Sequence, residues 1–279
     1  MSELPTVTAT RYVQPLREGG SLPAVVDTAE GGLFVVKFRG AGQGAKALVA
    51  ELIAGLLAQV LELPTPELAL VNILPPFGRG EPDPEIQDIL EGSHGINVGA
   101  RYLDGAFNFD PSAAGDLVSP ELAARIVWFD AFLTNPDRTH RNPNLLIWNR
   151  QPWLIDHGAA LYAHHNWAAV DEARTRSPFP LIAQHVLLTH AGDLEAADAR
   201  SAGALSARVI DEVLTRVPDV LLAEPDGGPE GALAADTVRE RYRAYLLLRL
   251  RAPRPFVDEA IRARTRVLSE PLRPLSARR

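Results

Sequence analysis

Asn135-Pro136-Asp137-Arg138-Thr139-His140-Arg141-Asn142-Pro143-Asn144, followed by Leu145-Leu146-Ile147-Trp148 and then by Trp153-Leu154-Ile155-Asp156-His157-Gly158, is the stretch that decides how this chain is read. An acid stands on a polar loop, and an Asn follows it five positions later. Two short apolar runs, 145–148 and 153–155, read as strands joined by a turn. A second acid then comes shortly before a glycine. A short hairpin between Asn142 and Asp156 brings its two ends to one edge, so Asn142 and Asp156 are expected together. Asp, Asn and Pro also serve as plain turn formers, and Asp137 or Asn142 alone would say no more than that. Polar chemistry concentrates here: four of the eight Asn fall within 135–149, four of the seven His within 140–165, and all four Trp within 128–167.

Phosphoryl transfer uses such a set. One carboxylate orients the attacking hydroxyl and can accept its proton; an amide oxygen and another carboxylate hold Mg²⁺ against the phosphates. Hard oxygen ligands suit that ion.

Working outward, the N-terminal third reads as strands around one helix. Val7 to Val13 alternates roughly, Arg17-Glu18-Gly19-Gly20-Ser21 makes a turn, and Pro23 to Asp27 and Leu33 to Phe38 form a hairpin around Gly31-Gly32. Residues 45–61 have helical periodicity, and Pro64 and Pro66 end the helix. Leu68 to Leu74 and Ile96 to Leu103 read as strands, with 75–91 mostly loop because it holds four prolines. Ser119-Pro120-Glu121 opens a helix to about Thr134, with an N-cap followed by Pro at the first position. Further helices are predicted over 181–190, 205–216, 233–251 and 255–268, with Gly227-Gly228-Pro229 as a linker. His164-His165 matches no metal-ligand spacing and reads as loop. The Trp cluster reads as packing, and Arg262, Arg264 and Arg266 as a solvated helix face.

Basic composition singles out one residue in the first third. Of 28 Lys and Arg, only Lys37 and Lys46 are lysines. A retained Lys marks a place where a compact ammonium is wanted and a planar guanidinium is not. Lys37 sits in the apolar strand Phe34-Val35-Val36-Lys37-Phe38, and Glu51 is the sole acid between Lys37 and Glu62, on an otherwise apolar helix. A snorkelling Lys and a solvated Glu are the plain alternative.

The 135–158 string resembles the catalytic and metal-binding loops of the HipA-like kinases, a bacterial branch of the protein-kinase-like fold; phosphoinositide kinases share its Asp-Arg start. The resemblance implies that Asp137 is the catalytic Asp, that Asn142 is the first metal ligand, and that Asp156 is the metal-binding Asp opening the activation segment. Asn144 competes with Asn142 for the metal. His140 departs from the pattern, standing three positions after Asp137 where HipA has a His two positions after. Lys37 then holds the α- and β-phosphates and pairs with Glu51. Gly19, Gly20 and Ser21 resemble the loop that covers the phosphates, where backbone N–H groups form a nest, and self-silencing by phosphorylation of Ser21 is implied there. Leu63-Pro64-Thr65-Pro66 before a strand is also similar to the family. Arg101, Tyr102 and Leu103 are placed as the adenine-contacting hinge by chain order alone. The resemblance covers roughly residues 17–167.

The expected fold is therefore α+β and two-lobed: a small β-rich N-lobe with one helix over residues 1–104, and a larger, mostly helical C-lobe over 105–279. The expected activity is ATP- and Mg²⁺-dependent phosphorylation of a Ser or Thr hydroxyl on a protein. A small-molecule kinase and a nucleotide-binding pseudokinase scaffold are the alternatives, and the intact Lys37, Glu51, Asp137, Asn142, Asp156 set argues against the scaffold. A net charge of −7 argues against a general grip on nucleic acid, which relies on Lys and Arg neutralising phosphates. With no cysteine, disulfides and thiolate metal sites are excluded. No apolar run approaches the ~20 residues that span a bilayer, and the N-terminus lacks the pattern of a signal peptide. A soluble, cytoplasmic protein is expected.

Overall fold

The computed structural model describes residues 3–16, 22–42, 44–223 and 234–269. Strands β1 (Thr6–Pro15), β2 (Ala24–Thr28), β3 (Leu33–Lys37), β4 (Leu68–Ile73) and β5 (Gly95–Arg101) form a closed barrel in the order β1-β2-β3-β5-β4. Neighbours pair antiparallel except where β1 closes on β4, with Thr6, Val7 and Thr8 parallel to Leu70, Val71 and Asn72. Side chains alternate along each strand. In β3, Phe34 and Val36 enter the barrel core, while Val35 and Lys37 face a cleft on the other side.

Two helices accompany the barrel, α1 (Gly44–Val60) and α2 (Pro84–Glu91). Every residue of α1 from Ala47 to Ala58 is buried, as expected of a helix apolar on all sides. Gly55 lets α1 approach the sheet closely, since a Cβ there would stand 2.5 Å from Leu68 Cδ1. The helix α2 corrects the expectation that 75–91 is mostly loop. Its prolines lie at the edge: Asp83 caps the first turn by accepting from Glu85 N, Pro84 occupies the first position, and Ile86 and Leu90 are buried.

The rest is mainly helical: α3 (Pro111–Ala114), α4 (Pro120–Phe132), α5 (Glu172–Thr175), α6 (Leu194–Ala204), α7 (Ala207–Leu214), α8 (Asp219–Leu222), α9 (Ala235–Leu250) and α10 (Pro255–Ser269). A small antiparallel sheet, β6 (Phe107–Asn108), β7 (Leu145–Trp148) and β8 (Gln151–Leu154), supplies the expected hairpin. The helix expected over 181–190 is absent. A short 3₁₀ turn at Pro180–Gln184 gives way to extended backbone at His185, which bridges Thr139. The helix α6 was not anticipated, because only Leu194, Ala197 and Ser201 of it are buried and small residues give a weak periodic signal.

One apolar core runs from α1 through Trp128, Phe129 and Phe132 of α4 to Tyr242 of α9 and Phe256 of α10. Burying each such large side chain contributes roughly 2–3 kcal/mol. Among the described residues, no helix is long and apolar enough to cross a membrane.

Candidate active site

A cleft of about 740 Å³ opens where β3, β5 and α1 face the 137–146 and 154–159 segments. Strand alternation delivers Lys37 to it, and α1 delivers Gly44, Ala47, Leu48 and Glu51 from one face, at helical spacing. Lys37 Nζ donates to Glu51 Oε2 at 2.7 Å and to Asp156 Oδ1 at 2.5 Å. Glu51 Oε2 also accepts from the His157 backbone N–H at 2.7 Å, so α1 is fastened to the segment carrying Asp156. Burial works to lower the Lys37 pKa, but the two carboxylates outweigh it and hold the ammonium above its ordinary value. Burial opposes ionisation of Asp156 as well, and Lys37 reverses that, leaving the carboxylate below its usual range. Burial dominates at Glu51 and pushes it up.

Asp156 lies in the left-handed region, φ 53°, uncommon for a residue other than glycine and typical of positions the surroundings hold in place. Gly158 keeps the floor open beside it: a Cβ there would stand 3.4 Å from Lys37 Nζ and 3.6 Å from Asp156 Oδ1.

Across the cleft, Asn142 Nδ2 and Asn144 Nδ2 donate to the same Asp137 oxygen at 2.8 and 3.1 Å. A carboxylate only accepts, so both amides present their NH₂ to it and keep their oxygens for other partners. Asn142 is exposed; Asn144 is buried and left-handed, φ 47°. The donors gathered here, two carboxylates and two amides, are hard oxygens of the kind Mg²⁺ takes. Among the described residues no three His, Asp or Glu cluster as an all-protein metal cage.

Sequence reasoning missed what anchors these groups. Arg138 is buried and turned away from the cleft. Its Nε donates to Asp130 Oδ2 at 2.6 Å, its Nη1 to the Asn144 and Ile155 carbonyls, and its Nη2 to His157 Nδ1 at 3.3 Å. One guanidinium thus binds Asn144, whose amide donates to Asp137, and Ile155 and His157, which flank Asp156. Asp130 also receives His185 Nε2 at 2.9 Å and Asn135 Nδ2 at 3.0 Å. Despite its burial, Arg138 and His185 hold Asp130 far below the usual carboxylate range. Arg138 can only donate, so His157 accepts through Nδ1 and carries its proton on Nε2. Burial, then the Arg138 charge, lower the His157 pKa to about 3. A lone Asp130 in Val127-Trp128-Phe129-Asp130-Ala131-Phe132 is the same signal that singled out Glu51; His185 carries none.

Arg101, Tyr102 and Leu103 line the cleft. The Arg101 and Tyr102 N–H groups are already engaged by the Glu67 and Leu33 carbonyls. Gly19, Gly20 and Ser21, with the turn around them, lie outside the described residues. His140 is exposed and does not line the cleft. His164 is buried; its Nδ1 meets Tyr242 OH at 2.9 Å and its Nε2 meets His165 Nε2 at 3.2 Å.

The chain is similar in structure to a Helicobacter pylori proinflammatory kinase, CtkA, with a TM-score of 0.53 at 12% identity over 96% of this chain and 100% of that one. At that identity the likeness shows the fold alone, a mixed α+β arrangement. No curated protein matches. The model of the family described as HipA-like kinase matches residues 10–175, which takes in Lys37, Glu51, Asp137, Asn142 and Asp156. With more than half of its length matched in this way, the chain belongs to the HipA-like kinase family.

Proposed function

We propose that this protein is an ATP- and Mg²⁺-dependent phosphotransferase whose acceptor is a Ser or Thr hydroxyl on a protein. Family membership supports the kinase-like phosphotransferase; nucleotide, metal and acceptor are the finer reading. One observation carries it: Lys37 is held between Glu51 and Asp156, 14 and 119 residues away, facing Asp137 and Asn142 over one cleft. In this reading residues 1–104 are the nucleotide-binding lobe, and 105–279 carry the catalytic and metal-binding loops.

Each residue has one task. Lys37, oriented by Glu51, holds the α- and β-phosphates. Asp156 and Asn142 hold Mg²⁺, which neutralises charge on the transferring phosphoryl group when bound. Asp137, steadied by two Asn amides, orients the acceptor hydroxyl and takes its proton. The backbone of Arg101, Tyr102 and Leu103 receives the adenine.

Binding to the native state raises its melting temperature. Mg-ATP at micromolar to millimolar concentration, the range usual for substrates, is therefore expected to shift the transition upward. Absence of any shift over that range removes the reading. Labelled ATP incubated with the protein and a cell lysate is expected to label protein; label found only in small molecules overturns the acceptor.

A further inference from the structure

We propose that Arg141 is a catalytic residue, the cation that neutralises charge building on the phosphoryl group during transfer; this rests on the phosphotransfer reading above. Among the described residues, three basic side chains line the cleft: Lys37, Arg101 and Arg141. Lys37 is committed to Glu51 and Asp156. Arg101 pairs with Glu67 at 3.2 Å and lies over the Phe34 ring, 4.5 Å from its centroid. Arg138, beside Asp137 in sequence, points the other way into the core. Arg141 is exposed and makes no hydrogen bond or ion pair with any described residue.

Its position is set although its side chain bonds no described residue. Thr139 N donates to the Asn142 carbonyl at 2.9 Å, and Asn142 N to Thr139 Oγ1 at 3.3 Å, closing a turn beneath Arg141. Pro143 restrains the residue before it. The next side chain along, Asn142, donates to Asp137. The guanidinium is thus mounted on the same short turn as the carboxylate that faces the acceptor.

Charge balance gives it work. Glu51, Asp137 and Asp156 face the cleft with Lys37, Arg101 and Arg141, so without Arg141 the acids would outnumber the cations before an anionic nucleotide enters. In the transfer, the acceptor oxygen forms a bond to the γ-phosphorus as the bond from that phosphorus to the β,γ-bridging oxygen breaks. The bridging oxygen leaves with the electron pair as part of ADP, and the acceptor proton passes to Asp137 and then to water. Charge grows on the leaving oxygen and stays spread over the three equatorial oxygens, which a planar, five-donor guanidinium matches two at a time. A donor aimed there lowers the barrier more than it tightens ground-state binding.

The test uses Arg141→Gln and Arg141→Lys, both at an exposed site, with the melting temperature expected to stay at the wild-type value. Calorimetric titration with Mg-ADP is expected to give affinities within about threefold of wild type, the mark of an interaction absent from the ground state. Titration with Mg-ADP plus aluminium fluoride, which mimics the phosphoryl group in flight, is expected to lose about 10²-fold or more in Arg141→Gln, with kcat falling by a like factor. Arg141→Lys should fall between. Fluoride-complex affinity equal to wild type overturns the proposal. So does an equal loss for Mg-ADP alone, or a rise only in the acceptor KM with acceptor-independent ATP hydrolysis unchanged. Failure of the wild type to bind Mg-ADP sinks the phosphotransfer reading itself, and so is distinguishable from a failure of Arg141 alone.

Discussion

Two aspartates carry different duties, so their losses should differ in kind. Asp137→Asn keeps the side chain's size and removes a base, leaving Asn142 and Asp156 for the metal. Nucleotide binding is expected to survive while transfer falls roughly 10²- to 10⁴-fold. Asp156→Asn removes the carboxylate that draws Mg²⁺ to the phosphates, so affinity for Mg-ATP and turnover should fall together. Lys37→Arg should resemble Asp156→Asn, because a planar fork does not replace a point ammonium set between carboxylates at 2.5 and 2.7 Å. Calorimetry with Mg-ATP beside a phosphotransfer assay separates these; binding lost in Asp137→Asn and retained in Asp156→Asn would reverse the roles. The two asparagines separate by another measurement. Asn142→Ala is expected to raise the Mg²⁺ concentration needed for half-maximal turnover without moving the melting temperature, since Asn142 is exposed. Asn144→Ala should lower the melting temperature, because a buried left-handed position suits Asn better than Ala. The reverse pattern gives the metal to Asn144. Lys37 and Glu51 were legible in the sequence because a lone charge in an apolar run needs a reason. The inward turn of Arg138 was not, because it depends on Asp130 and on carbonyls brought in from the hairpin.

Elements were legible where the pattern was local. The β2–β3 hairpin, α1, α4 and β7 follow from turn residues, periodicity and a capped start. The helix α2 was hidden by prolines that turned out to sit before it and at its first position. The 181–190 stretch was misread because its backbone serves a tertiary purpose: His185 reaches Asp130, and Val186 N donates to the Arg138 carbonyl at 3.1 Å. Another element does comparable work at the start of the same loop. Arg249 on α9 is buried and donates to the Phe132, Ala131 and Thr175 carbonyls at 2.6, 2.7 and 2.8 Å. It meets the C-terminal end of α4, where a cation is favoured. Arg249→Leu would strand those carbonyls, at about 3 kcal/mol or more for charge-assisted bonds lost together. The urea midpoint should fall accordingly, and an unchanged midpoint would show that water takes over their bonding.

At the scale of the whole molecule, acid sensitivity follows from histidines buried neutral. His157 and His164 are each lowered to about 3, chiefly by burial, then by Arg138 and His165 respectively, and His185 shifts the same way. A folded pKa below the unfolded 6.5 means that unfolding takes up protons. Stability is thus full above about pH 6.5 and is lost as pH falls, by about 2 kcal/mol for each of His157 and His164 at pH 5. Glu51, raised by burial, works in the opposite sense, and the histidines outnumber it. His164→Asn should flatten the dependence of the urea midpoint between pH 7 and 5; an unaltered slope would mean that His164 titrates normally. The barrel's closing seam has a practical consequence. The family match starts at residue 10, inside β1, whereas the parallel pairing with β4 is made by Thr6, Val7 and Thr8. A chain trimmed to the family boundary would leave the Leu70–Asn72 edge unpaired, a template for a strand from another molecule. Light scattering of such a trimmed protein should then register more self-association than the full chain shows, so Thr6, Val7 and Thr8 act as a guard against polymerisation.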